Sequence, residues 1–72
     1  MKDVFINKEP VELFKILKFE GITSSGAEAK DMIAAGSVLV NGIIEKQKRK
    51  KMFAGDTIEL KGEVFRIKLG AN

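Results

Sequence analysis

The densest chemistry in this chain is cationic. The stretch Lys46-Gln47-Lys48-Arg49-Lys50-Lys51 holds five basic side chains and no acid. The chain has 13 basic and 10 acidic residues, so the remainder holds 8 basic against 10 acidic and is net −2. The surplus of +3 therefore comes from this one strip. Lys offers point charges to phosphates, Arg can fork across one, and neither reads base identity through the backbone. A domain that is mildly acidic apart from one basic strip has a polarised field, which draws a polyanion to one face. A charge run alone usually reads as a solvated loop. Here strand-like segments flank the run and are expected to hold it.

Other chemistry is scarce. There is no Cys and no His. That excludes disulfides and thiolate metal sites, and it removes the commonest zinc ligand and general base. Asp, Glu, Lys or Ser would have to carry any catalysis, and no pair of acids stands out by position. No glycine cluster matches a phosphate loop. The expectation is a non-enzymatic module with no metal, cofactor or small-molecule substrate. Ser24-Ser25 reads first as a helix cap, which is compatible with binding, because a helix N-terminus is also an anion site. Among Phe5, Phe14, Phe19, Phe53 and Phe65, core packing is expected for most. Phe19, between Lys18 and Glu20, fits an apolar pattern least.

With 72 residues, residues 1–72 are expected to form a single domain with little stability to spare. A hydrophobic content of 44% is too high for a disordered chain. No apolar run approaches the roughly 20 residues of a membrane span. Val4-Phe5-Ile6 is cut short by Asn7-Lys8-Glu9, so no signal-peptide core is recognised. These features predict a soluble cytoplasmic monomer with no membrane partner.

The elements that must position the strip can be read along the chain. Val4-Phe5-Ile6 suggests a first strand. Pro10 fits the first position of a helix and Glu12 its first turn, with Leu13, Phe14, Ile16 and Leu17 at near-helical spacing and Gly21 as the stop. Ser25 and Glu28 form the capping box of a second helix. Ala29, Met32 and Ile33 point its stripe inward, and Ala27, Ala34 and Ala35 are small enough to let a neighbouring helix approach. Gly36 ends it. The period then changes: Val38 and Val40 alternate, and Asn41-Gly42 before Ile43-Ile44 predicts a tight hairpin. Gly55-Asp56 and Lys61-Gly62 read as further turns around Thr57–Leu60 and a last strand at Val64 and Ile67. The predicted fold class is α+β: two packed short helices followed by a small, mostly antiparallel sheet.

These residues in this order resemble a known family. Leu17, Gly21, Ser24-Ser25, Ala29-Lys30, Ile33, Gly36, Val38, Val40-Asn41-Gly42 and Gly55-Asp56 look like the S4 RNA-binding domain, or alpha-L motif, over about residues 11 to 60. With no attached catalytic domain expected, and with the basic run before Gly55-Asp56, the chain looks most like the stand-alone bacterial YbcJ/YaaA-type members. The resemblance implies structured, possibly ribosomal, RNA as partner, on a surface made by the helix pair and the start of the hairpin. Carried over by position, that surface includes Ser24, Ser25 and Lys30. Two positions depart from the pattern. Family members often carry Arg where Gly26 and Glu12 stand here. The missing charge is then expected from Lys46, Lys48, Arg49, Lys50 and Lys51. The rival readings are a protein-interaction module that meets an acidic partner through the strip, and a non-specific DNA binder.

Overall fold

The computed structural model describes residues 1–70. Its elements are β1 (Lys2–Ile6), β2 (Val11–Glu12), α1 (Leu13–Phe19), α2 (Gly26–Ala34), β3 (Leu39–Val40), β4 (Ile43–Ile44), β5 (Lys51–Met52), β6 (Thr57–Leu60) and β7 (Glu63–Leu69). Five strands form one mixed sheet in the order β1-β7-β6-β3-β4. β1 runs parallel to β7, pairing Lys2 with Phe65 through Ile6 with Leu69. The other pairings in that sheet are antiparallel. β2 and β5 form a separate antiparallel pair, Val11 with Met52 and Glu12 with Lys51. The α+β layout is as the sequence implies, and the Val4-Phe5-Ile6 strand exists, joined to the far end of the chain.

Alternation sets the core. Val4 and Ile6 of β1, Ile58 and Leu60 of β6, and Phe65 and Ile67 of β7 are buried together. Successive side chains of a strand point to opposite faces, so these i, i+2 pairs line one face of the sheet. They share the core with Leu13, Ile16 and Leu17 of α1 and Ala29 and Ile33 of α2. Both helices end in the same way. Gly21 donates to the Lys18 carbonyl and Ile22 to Leu17; Gly36 donates to Ile33 and Ser37 to Met32. This is the Schellman arrangement, which needs a left-handed residue after the cap, and Gly21 and Gly36 have φ of +69° and +80°.

The Asn41-Gly42 hairpin is present, with φ of 52° and 82° at its two central residues and Val40 paired with Ile43. Lys61-Gly62 repeats the device between β6 and β7. Gly55-Asp56 does more than turn the chain. Asp56 accepts from the Phe53 N–H at 2.9 Å and from the Asn41 amide at 3.2 Å, while the Asn41 amide oxygen accepts from the Thr57 N–H at 2.9 Å. These bonds fasten the hairpin tip to the start of β6.

Three local expectations change. Pro10 does not open the first helix and Glu12 is not in its first turn; α1 begins at Leu13. The reason is tertiary. Val11 and Glu12 are taken into the pairing with β5, and the Leu13 and Phe14 N–H groups donate to the Lys50 and Lys48 carbonyls at 2.9 and 3.1 Å. Second, Ala27, Ala34 and Ala35 face solvent instead of a neighbouring helix. The close approach is at Gly26, where a Cβ would lie 3.5 Å from Lys18 Cδ and 3.9 Å from the Phe14 ring. Third, Phe53 is exposed along with Phe19, whereas Phe14 and Phe65 are buried and Phe5 is half-buried.

Candidate nucleic-acid interface

The basic strip is held by its backbone. Lys48 and Lys50 give their carbonyls to the first free N–H groups of α1, and Lys51 lies opposite Glu12 in the β2–β5 ladder. A helix start leaves its first N–H donors without intrahelical partners. Here the strip supplies two acceptors, so helix and strip fix one another. The side chains of Lys46, Lys48, Arg49, Lys50 and Lys51 remain exposed.

Docking at the start of α1 brings the strip to Phe14. The Arg49 guanidinium carbon stands 5.1 Å from the Phe14 ring centre and Lys30 Nζ of α2 stands 4.6 Å from it. Lys15 Nζ is 6.0 Å from the same centre. Phe14 is only 8% exposed, so one ring is buried beneath cations from three parts of the chain. A cation over an aromatic face gains about 0.5–1 kcal/mol at an exposed site. That is small, but it sets where the charges stand.

Glu12 lies within this cluster. A single oxygen of its carboxylate is 3.4 Å from Lys15 Nζ and 3.3 Å from an Arg49 nitrogen. Both cations are largely exposed, so the pairs are worth little to stability. Their consequence is positional, because Glu12 tethers Arg49 to α1.

Ser24 and Ser25 are also placed. The Ser25 hydroxyl accepts from the Glu28 N–H at 3.0 Å, which caps α2. The Glu28 carboxylate accepts from the Ser24 N–H at 2.6 Å and from its hydroxyl at 3.1 Å. Those hydrogen bonds, the backbone one foremost, hold the Glu28 carboxyl below its ordinary value, and the positive charge of Lys61 adds to the effect. Both serines are therefore engaged in the cap while remaining exposed. Lys30 is half-buried on the same helix. Lys46 lies at the exit of α2, where a Cβ on Gly36 would be 3.5 Å from its Cε.

The structure thus joins Lys30 to Lys48, Arg49 and Lys50 around the start of α1, and sets Ser24 and Ser25 at the start of α2 and Lys46 at its end. Sequence reasoning placed Glu12 on this face only as a departure from the family pattern, and it missed Phe14, Lys15 and Lys18 as members of it. Lys15 and Lys18 were legible as cations three residues apart on the polar side of α1. Lys18 passes over Gly26, one of the two positions where arginine is common in the resembling family, so α1 supplies a cation beside that place.

Among the described residues no group of acids could hold a metal ion, and no helix is long and apolar enough to cross a membrane.

Comparison with known proteins shows the family and the fold. The chain is 44% identical over 63 residues to YbcJ of Escherichia coli (strain K12), to which RNA binding is ascribed, covering 86% of this chain and 90% of that protein. It is 30% identical over 59 residues to RlbA of Bacillus subtilis (strain 168), to which a role in ribosome maturation is ascribed, covering 82% and 83%. The solution structure of E. coli YbcJ, described as having an alfa-L motif involved in RNA binding, superposes with a TM-score of 0.72 at 42% identity over 94% of this chain and 87% of that one. The S4 domain family model matches residues 4–68, and with these relatives at these coverages the chain belongs to the S4 domain family.

Proposed function

We propose that this protein binds structured RNA without catalysing a reaction on it, holding phosphates on the cationic face centred on Phe14. The observation that carries the reading is the convergence of Lys30 from α2 and Arg49 from the basic strip over one buried ring. Two regions that could each be a solvated surface become one site of fixed geometry. Lys15, Lys18, Lys48 and Lys50 would extend it, and Ser24 and Ser25 directly precede Gly26, which packs on Lys18 and the Phe14 ring. Phosphate contacts position an RNA and carry no sequence, so recognition is of backbone shape. The RNA binding ascribed to YbcJ supports the ligand class. The role ascribed to RlbA supports a ribosomal RNA, or one that acts while ribosomes are assembled.

The test is a titration of a labelled RNA hairpin, and of a DNA duplex of matching sequence, over a range of salt. Each phosphate contact contributes about 0.7–0.9 to the slope of log affinity against log salt. Three to five contacts give a slope of roughly −2 to −5. RNA is expected to bind more tightly than DNA with a slope in that range. Equal affinity for both would give the face to a non-specific DNA binder, and no binding of either would leave the strip to an acidic protein partner.

A further inference from the structure

A second concave surface adjoins the cationic face. The chain from β1 to β2 passes beside α1, and Glu12, Lys15, Ile16 and Phe19 fall on one side of that helix at three- and four-residue spacing. Between them lies an open groove of about 640 Å³. Small-ligand sites span roughly 300–1,000 Å³. Phe5 of β1, Pro10 of the connection, Val11 of β2 and Phe19 of α1 line it. Phe19 is 67% exposed and contributes nothing to the core cluster, so the fold gives no reason for an aromatic at that position.

We propose that this groove receives an unpaired nucleobase next to the structured RNA held by the cationic face. The inference rests on the RNA reading above and adds to it a single-stranded flank as part of the ligand. Three observations select this occupant. First, the groove and the cationic face share a wall. Lys15 and Glu12 line the groove, and the same two side chains meet Arg49 and the Phe14 ring. A strand whose phosphates lie on the cluster therefore passes directly to the groove. Second, the groove suits a base and not a phosphate. Its charged lining balances, with Lys8 and Lys15 against Glu12 and Glu20. Carboxylates repel phosphate but accept hydrogen bonds from the amino groups on base edges. Third, an aromatic ring in the wall offers the stacking platform on which single-stranded nucleic acid is held, whatever the base. Lys18 Nζ stands 5.6 Å from the centre of the Phe19 ring, which gives that platform a cation alongside.

The experiment compares two RNA hairpins that differ only in a three-nucleotide single-stranded extension containing 2-aminopurine. Each is titrated against the wild-type protein, Phe19→Ala and Phe19→Trp. Base–aromatic stacking corresponds to about 5- to 150-fold in affinity per base. Wild type is expected to prefer the extended hairpin by a factor in that range and to change the 2-aminopurine fluorescence on binding. Phe19→Ala should bring the ratio of the two affinities close to one and abolish the fluorescence change, and Phe19→Trp should keep both. Wild type binding the two hairpins alike, or Phe19→Ala keeping the preference, overturns the proposal. Equal affinities combined with amide shifts at Phe5 and Phe19 on adding an apolar peptide would assign the groove to a protein partner. If neither hairpin binds, the RNA reading itself falls; if both bind equally with a steep salt dependence, only the groove assignment does.

Discussion

Lys30 and Arg49 stand 4.6 and 5.1 Å from the centre of the same Phe14 ring, although one belongs to the second helix and the other to the strip after the β3–β4 hairpin. The ring lies on α1, and the first N–H groups of α1 are bound by the carbonyls of Lys48 and Lys50. Removing the ring would therefore loosen both cations at once.

Lys48→Ala combined with Arg49→Ala should flatten the salt dependence of RNA affinity by roughly 1.5–2 units, one phosphate contact for each charge lost. The loss should be similar across RNA sequences. The strip is held through main-chain carbonyls that alanine keeps, so the thermal midpoint should barely move. A double variant with wild-type affinity and slope would return the strip to the status of a solvated loop.

Ile33 is fully buried between the helices and the sheet, and Lys30 lies three residues before it at the edge of the same core. Ile33→Ala should cost roughly 2–5 kcal/mol in a denaturant titration. Lys30→Ala should leave the unfolding midpoint nearly unchanged and weaken RNA binding. The opposite outcome, with Lys30→Ala unfolding the domain and Ile33→Ala neutral, would contradict the observed facing of α2.

Gly42→Val isolates backbone strain. A Cβ at Gly42 would meet nothing within 4 Å, but its φ is +82°. A β-branched residue resists that region. The variant should melt below wild type, and since Asn41 also ties the hairpin to Asp56 and Thr57, exchange protection should fall at β3 and β6 together. An unchanged melting temperature would mean that the turn can relax without cost.

How far the sequence foretold this structure depends on the range of the interactions. The hairpin at Asn41-Gly42, the Ser25–Glu28 cap and the stops at Gly21 and Gly36 are decided within a few residues, and each was legible. The start of α1 was not. Pro10 and Glu12 have the residue types of a helix start, but Val11 and Glu12 are captured by Lys51 and Met52, far along the chain. β1 could be seen as a strand, yet nothing local announces that its partner is β7. The same holds for the candidate site. The strip and Lys30 were readable as charges, whereas Phe14 read as one more core aromatic, because its role arises only when α1, α2 and the strip meet.

Acidity should act on the cap of α2. The Ser24 N–H, and after it the Ser24 hydroxyl, hold the Glu28 carboxyl below its ordinary value. A group with a depressed folded-state value stabilises the fold above its unfolded value, about 4.3 for Glu. That contribution fades as pH falls through the lower folded value. Urea midpoints of wild type and Glu28→Gln should therefore differ most near neutral pH and converge as pH drops below about 4. A difference that stays constant from pH 7 to pH 3 would show that the Glu28 charge plays no part in the cap.

Glu12 gives the sharpest test of the cationic face, because its charge has the wrong sign for that face. One of its oxygens lies 3.3–3.4 Å from both Arg49 and Lys15, the position a phosphate oxygen would take. An incoming phosphate must therefore displace it or share those cations with it. Exposed ion pairs are worth about 1 kcal/mol or less. Glu12→Gln should raise RNA affinity by up to about fivefold, the equivalent of that energy, and should steepen the salt slope as the two cations become free to take phosphates. The fold should hold, because Glu12 makes no side-chain cap on α1 and its backbone pairing with Lys51 survives the change. Weaker binding by Glu12→Gln would mean that the carboxylate serves the site by holding Arg49 over Phe14. The negative charge would then be a positioning device and not a competitor.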